Sequence, residues 1–168
     1  MSTIKTLSSI TVVTLSLFFA KASLAGTENY AGSDCVWRSG GAVTYDTNGA
    51  VSNFSNLTAN VLCHVPHTDY DGFLNDGEID SGYYQAVDLN NGANISCRFR
   101  STALLANGTV STQLGSVGNT AGFGTQRQQI NLGGVGEDSN SAYTMACSIP
   151  ATQAAVGTSK IQGYRVSQ

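Results

Sequence analysis

The sequence predicts an all-β protein: a single antiparallel β-sandwich of about eight or nine strands, jelly-roll-like, with two disulfides. Three observations predict it. Apolar residues recur with a period of two in segment after segment, the spacing of strands with one buried face. Charged residues make up only 11% of the chain, while Gly, Ser, Thr and Asn abound, so the Glu and Lys pairs of long surface helices are missing. The apolar segments are short and separated by turn residues, which fits strands joined by loops better than disorder.

Taken in order, residues 1–25 read as a signal peptide. Lys5 supplies a positive start, residues 10–20 are apolar, and Ser23 and Ala25 are small residues placed for cleavage before Gly26. Lys21 interrupts the apolar run short of the ~20 residues a bilayer needs, so no membrane insertion is expected. Residues 26–33 read as a frayed terminus of a domain covering 26–168. Strands at 42–45 and 50–54 are joined by Asp46-Thr47-Asn48-Gly49, a hairpin turn because Asn-Gly tolerates positive φ.

Leu57, Ala59, Val61, Cys63 and Val65 form one face of the next strand, with Thr58, Asn60 and His64 on the other. Tyr83, Gln85, Val87 and Leu89 make a noisier strand closed by Asn90-Asn91-Gly92. Ile95, Cys97 and Phe99 alternate cleanly with Ser96, Arg98 and Arg100. A strand at 110–114 leads into a glycine-rich stretch, 115–136, read as a long loop with one embedded strand at 128–132. Tyr143, Met145, Cys147 and Ile149 alternate with Thr144, Ala146 and Ser148, and 160–166 is the last strand. A jelly roll is preferred to an immunoglobulin-like fold because the strand count is high and Trp37 lies outside the strands assigned to the cysteines.

Losing Lys5 and Lys21 with the leader leaves 6 of the 8 basic residues against 11 acidic ones, a net charge of −5. Such a surface repels phosphate backbones and anionic lipid, so nucleic acid is not an expected partner. Export makes the compartment oxidising and turns the 4 cysteines toward disulfides. Spacing alone does not choose among three pairings. Cys97 and Cys147 both sit on the inward face of a strand, which favours Cys97–Cys147 and leaves Cys35–Cys63. A zinc site would need clustered thiolates, and no two cysteines are near neighbours. Four Asn-x-Ser/Thr sequons, at Asn53, Asn56, Asn94 and Asn107, matter only in a host that glycosylates.

Two strands end alike, Cys63-His64-Val65-Pro66 and Cys147-Ser148-Ile149-Pro150, and proline stops a strand because it cannot donate to the ladder. These Cys-x-x-Pro ends, with the signal peptide, the four cysteines and the closing Tyr164 to Val166, resemble a group of uncharacterised secreted bacterial disulfide-containing β-sandwich proteins. The resemblance implies export and a β-sandwich, and it implies no activity.

The acidic segment from His67 to Asp80 carries the sharpest functional expectation. Set on the calcium-loop pattern, Asp69 takes the third position, Asp71 the fifth, Gly72 the sixth, Leu74 the eighth and Glu78 the twelfth. Alternate carboxylates converge on one hard cation, and a late Glu closes the shell. His67 stands where an oxygen ligand is wanted, so Asn75, Asp76 or Asp80 must replace it, and Pro66 excludes an entering helix. The expected calcium set is Asp69, Asp71, Asn75, Glu78 and Asp80, in a loop between strands rather than an EF-hand. The plainer alternative is a solvated connection in which Asp and Asn serve backbone turns.

No nucleophile elbow accompanies His64 and His67, and the carboxylates lie in one polar segment with nothing apolar to raise an acid's pKa. A non-enzymatic binding module is therefore expected, with a glycan as the first candidate ligand and Trp37, Tyr70, Tyr83 and Tyr84 as possible stacking platforms. The alternative is a structural surface or matrix component that assembles with another secreted or surface protein through strand edges.

Overall fold

The computed structural model of the chain describes residues 27–66, 78–136, 141–153 and 156–168. These residues form two antiparallel sheets. The first holds β1 (Thr27–Ala31), β3 (Val43–Tyr45), β4 (Val51–Asn53), β6 (Ile79–Val87), β10 (Gln128–Val135) and β12 (Lys160–Ser167), numbered in chain order. The second holds β2 (Cys35–Gly40), β5 (Ala59–Val65), β7 (Ser96–Leu104), β8 (Val110–Leu114), β9 (Gly118–Asn119) and β11 (Ser141–Ile149).

From β4 onward the chain changes sheet at every connection except the β7–β8 hairpin and the β9 addition. Eight strands thereby fall into the orders β10–β6–β12–β4 and β8–β7–β11–β5, which is the double Greek key of a jelly roll. The remaining four extend its edges: β1 lies along β12, β3 outside β4, β2 outside β5 and β9 along β7. This exceeds the expected strand count because edge strands carry little hydrophobic pattern of their own.

The clearest alternations become the centre of the second sheet. On β5, β7 and β11, Val61, Cys63, Val65, Cys97, Phe99, Tyr143, Met145, Cys147 and Ile149 all point into the core. β5 ends at Val65 and β11 at Ile149, each one residue before its proline. Both disulfides form as the strand faces require, Cys35–Cys63 and Cys97–Cys147. Each links residues directly opposite one another on neighbouring strands of this one sheet, β2 to β5 and β7 to β11. With all four thiols oxidised, the zinc alternative is overturned, and the pair suits an oxidising compartment.

Four sequence readings need correction. The stretch read as frayed, 26–33, is built into the first sheet from Thr27 onward: β1 pairs with β12 over five residues, and Tyr30 stacks on Tyr164 with ring centroids 4.9 Å apart. Trp37 lies on β2, the same strand as Cys35, so it offered no argument against an immunoglobulin-like fold. Leu57 stands outside β5 and is 61% exposed. On β6 the inward face is Tyr84 and Ala86, while Tyr83 and Gln85 face outward, half-buried. Adjacent tyrosines made either phase possible. Register decides it, because Tyr84 stands opposite the buried Tyr164 and its hydroxyl donates to the carbonyls of Ile95 at 2.9 Å and Gly118 at 3.1 Å.

The β3–β4 hairpin turns as expected at Gly49, with φ of 78°. Asp46 Oδ1 accepts from the backbone N–H groups of Asn48 and Ala50, each at 2.9 Å. The Ala50 bond above all holds the Asp46 carboxyl below the usual range. Among the sequons, Asn53 is fully buried and its amide donates to the carbonyls of Leu57, Ile149 and Pro150, so in the folded protein it is a structural tie.

Burial is the main cause that pushes the phenols of Tyr84 and Tyr164 well above the ordinary range. A phenol whose value rises on folding contributes stability that is present below the unfolded value, ~10, and is lost as pH climbs beyond it. An alkaline titration followed by ultraviolet absorbance should therefore leave at least these two of the 7 tyrosines unionised until the tertiary circular dichroism collapses, and Tyr30, raised by burial and by its bond to Glu28, should resist with them. Ionisation of every tyrosine with the fold intact would contradict the packing of this core.

Candidate functional site

The turned phase of β6 builds a site on the outer face of the first sheet. Register places Asn131, Tyr83, Arg165 and Asn29 side by side across β10, β6, β12 and β1. The neighbouring row is Gly133, Ser81, Ser167 and Thr27. Between the two rows lies an open groove of about 460 Å³, lined by Thr27, Ser81, Tyr83, Asn131, Arg165 and Ser167. The Arg165 guanidinium carbon is 6.0 Å from the Tyr83 ring centroid, at the outer limit of a cation–π contact. One aromatic ring thus stands among planar polar groups, an amide on one side and a guanidinium on the other. All of these side chains rise from paired strands, so their spacing is preset by the ladder.

The other sequence-derived candidates fare differently. Asp69, Asp71 and Asn75 of the calcium set, with His67, Tyr70 and Asp76, lie outside the described residues. Glu78 immediately precedes β6, and Asp80 is exposed on it. Among the described residues, no group of three or more His, Cys, Asp or Glu side chains is placed to hold a metal. His64 is exposed on β5 and stands opposite Thr144 rather than a carboxylate. Of the proposed stacking residues, Tyr84 is fully buried and is removed from the list, while Tyr83 faces the groove. Trp37 is 51% exposed at the β2 edge, with its indole N–H donating to the Gly41 carbonyl at 2.8 Å.

Sequence reasoning passed over Thr27, Asn29, Ser81, Asn131, Arg165 and Ser167. Isolated polar residues on the outer phase of a strand look like solvated surface. Only the sheet order, which sets β1 and β10 on either side of the β6–β12 pair, gathers them. It also passed over Asp88, a fully buried carboxylate just beyond β6.

No family model matches the chain, and no curated protein matches it. Among solved structures it is similar to a family two carbohydrate esterase from Cellvibrio japonicus, with a TM-score of 0.45 and 10% sequence identity. The match covers 84% of this chain and 33% of that one, so this chain spans about a third of that protein's length. None of the described helices is long and apolar enough to cross a membrane.

Proposed function

We propose that the protein is an exported, non-catalytic binding module that takes a neutral glycan on the outer face of its first sheet. The observation that carries this reading is the Asn131–Tyr83–Arg165–Asn29 row above the Ser81–Ser167–Thr27 row. A sugar ring has an apolar C–H face rimmed by hydroxyls. It is matched by one aromatic surface beside a guanidinium that donates and amide and hydroxyl groups that both donate and accept. The groove is open and shallow, which suits a segment of a chain rather than an enclosed small molecule. Its lining residues include no carboxylate, imidazole or thiol, so the Ser, Thr and Tyr hydroxyls there have no base beside them to activate them.

A neutral-oligosaccharide array on the oxidised protein tests this. Hits should also compete in solution, and Tyr83→Ala should weaken them about tenfold, ~1.4 kcal/mol, with the melting temperature nearly unchanged. Glycan binding that survives both Tyr83→Ala and Arg165→Ala would place the site elsewhere.

A second reading, assembly through protein contacts, draws on a different observation. Leu104, Val110 and Leu114 stand 68%, 63% and 51% exposed where β7 meets β8, at the edge of the second sheet. Silence on the array together with concentration-dependent oligomers would favour it.

A further inference from the structure

The outer face of the second sheet is built for a different ligand. Its middle is low, because β11 presents Ala146 and Ser148 there and β7 presents Ser96. The Ser148 hydroxyl donates to Asn60 Oδ1 at 2.8 Å, and the Asn60 amide donates to Ser39 Oγ at 3.2 Å, giving a hydroxyl and amide row across β11, β5 and β2. A groove of about 470 Å³ lies over this floor, lined by Arg38 of β2 on one side and by Arg98 and Arg100 of β7 on the other. In the order β2–β5–β11–β7 those walls are three strand spacings apart, ~14 Å. Leu62 and Val117 add apolar surface.

Charge is what sets this groove apart. The chain beyond its first 25 residues has only Arg38, Arg98, Arg100, Arg127, Lys160 and Arg165 as bases, and half of them converge here. Lys160 lies 3.7 Å from the Asp46 carboxylate, and Arg165 lies against Tyr83. Among the described residues no carboxylate pairs with Arg38, Arg98 or Arg100. Arg98 and Arg100 are nonetheless half-buried, with Arg100 Nε donating to Thr102 Oγ1 at 3.1 Å. Partly desolvated guanidinium groups without counter-charges leave free their planar forks, which match carboxylate oxygens two by two.

We propose that this groove binds an anionic polysaccharide whose sugars carry carboxylates. Three guanidinium groups spread over ~14 Å suit spaced carboxylates and fall far short of a duplex, which carries one charge per ~1.7 Å. The net negative charge of the rest of the surface also repels so dense a polyanion. An acidic protein segment would gain most from a free strand edge or deep apolar pockets. The floor instead offers Ser and Asn groups that suit sugar hydroxyls. This site is separate from the Tyr83 groove and does not depend on it.

Affinity electrophoresis of the oxidised protein in gels containing polygalacturonate, its methyl ester or a neutral glucan tests the proposal. Polygalacturonate should retard the protein more strongly than its methyl ester does, and added salt should remove the difference. Arg98→Gln with Arg100→Gln should reduce affinity at least tenfold, while Tyr83→Ala should leave it unchanged. If the double variant does not fold, Arg38→Gln, on the exposed edge strand, should still lower affinity several-fold. Equal retardation by the methyl ester, no retardation by polygalacturonate, or full affinity in a folded arginine variant would overturn the proposal. Salt-sensitive self-association without polygalacturonate binding would also overturn it, and would put a second copy's acidic segment in the groove.

Discussion

Replacing Cys97 and Cys147 together by Ala is expected to remove about 4 kcal/mol of stability with the other bridge intact, by the chain-entropy account of a loop with sequence separation 50. Total stability for a domain of this kind is ~5–15 kcal/mol, so the loss is a large share of it, and the midpoint should fall by on the order of 10–20 °C. Position adds to loop length. These cysteines join β7 and β11, two central strands, and are nearly fully buried among Phe99, Met145 and Ile149, so truncation also leaves unfilled volume. The same change at Cys35 and Cys63 opens a shorter loop, with separation 28, and releases only the edge strand β2. Its expected cost is smaller, about 3.5 kcal/mol or less. Urea unfolding of the two double variants decides the ranking, and a larger loss at Cys35 and Cys63 would reverse it.

Asp88→Ala is expected to cost ~3 kcal/mol or more, without touching any apolar contact. The carboxylate is fully buried beyond β6 and accepts four hydrogen bonds. Oδ1 takes the Asn90 N–H and the Ser159 hydroxyl, each at 3.0 Å, and Oδ2 takes the Ile95 N–H at 3.1 Å and the Thr120 hydroxyl. Three connections meet on it: the loop into β7, the segment after β9 and the approach to β12. Removing the acceptor strands the Asn90 N–H and the two hydroxyls and leaves the Ile95 N–H only its 2.9 Å bond to Thr120 Oγ1. Asp88→Asn should recover only part of the loss, because its amide turns a donor toward donors. Stability of Asp88→Ala within ~1 kcal/mol of the parent would mean that water or neighbouring groups replace the carboxylate. Hydrogen exchange at Ile95 and Asn90 would locate the damage.

Legibility followed position in the sheet. β5, β7 and β11 were plain because each buries one face and solvates the other, which writes a period of two into the residues. The inward phase of Cys97 and Cys147 came with that pattern, and so did their pairing. β1 was invisible because Thr-Glu-Asn-Tyr-Ala at a sheet edge joins β12 through backbone hydrogen bonds, which any sequence can make. The outward residues of β6 were misread because Tyr83 and Tyr84 are equally apolar by composition, and that inversion is what hid the candidate site.

By themselves, the residues determined an all-β chain, its principal inward faces, its two proline strand ends and the cysteines that share a core. Each is a local property, set by side-chain alternation and by what proline does to a ladder. The tertiary structure decided which tyrosine of β6 faces water, what joins Asp88, and that Arg38 meets Arg98 and Arg100 across one groove. Those depend on register between residues up to 140 positions apart, as with Thr27 opposite Ser167, and register is chosen by the packing of two whole faces at once.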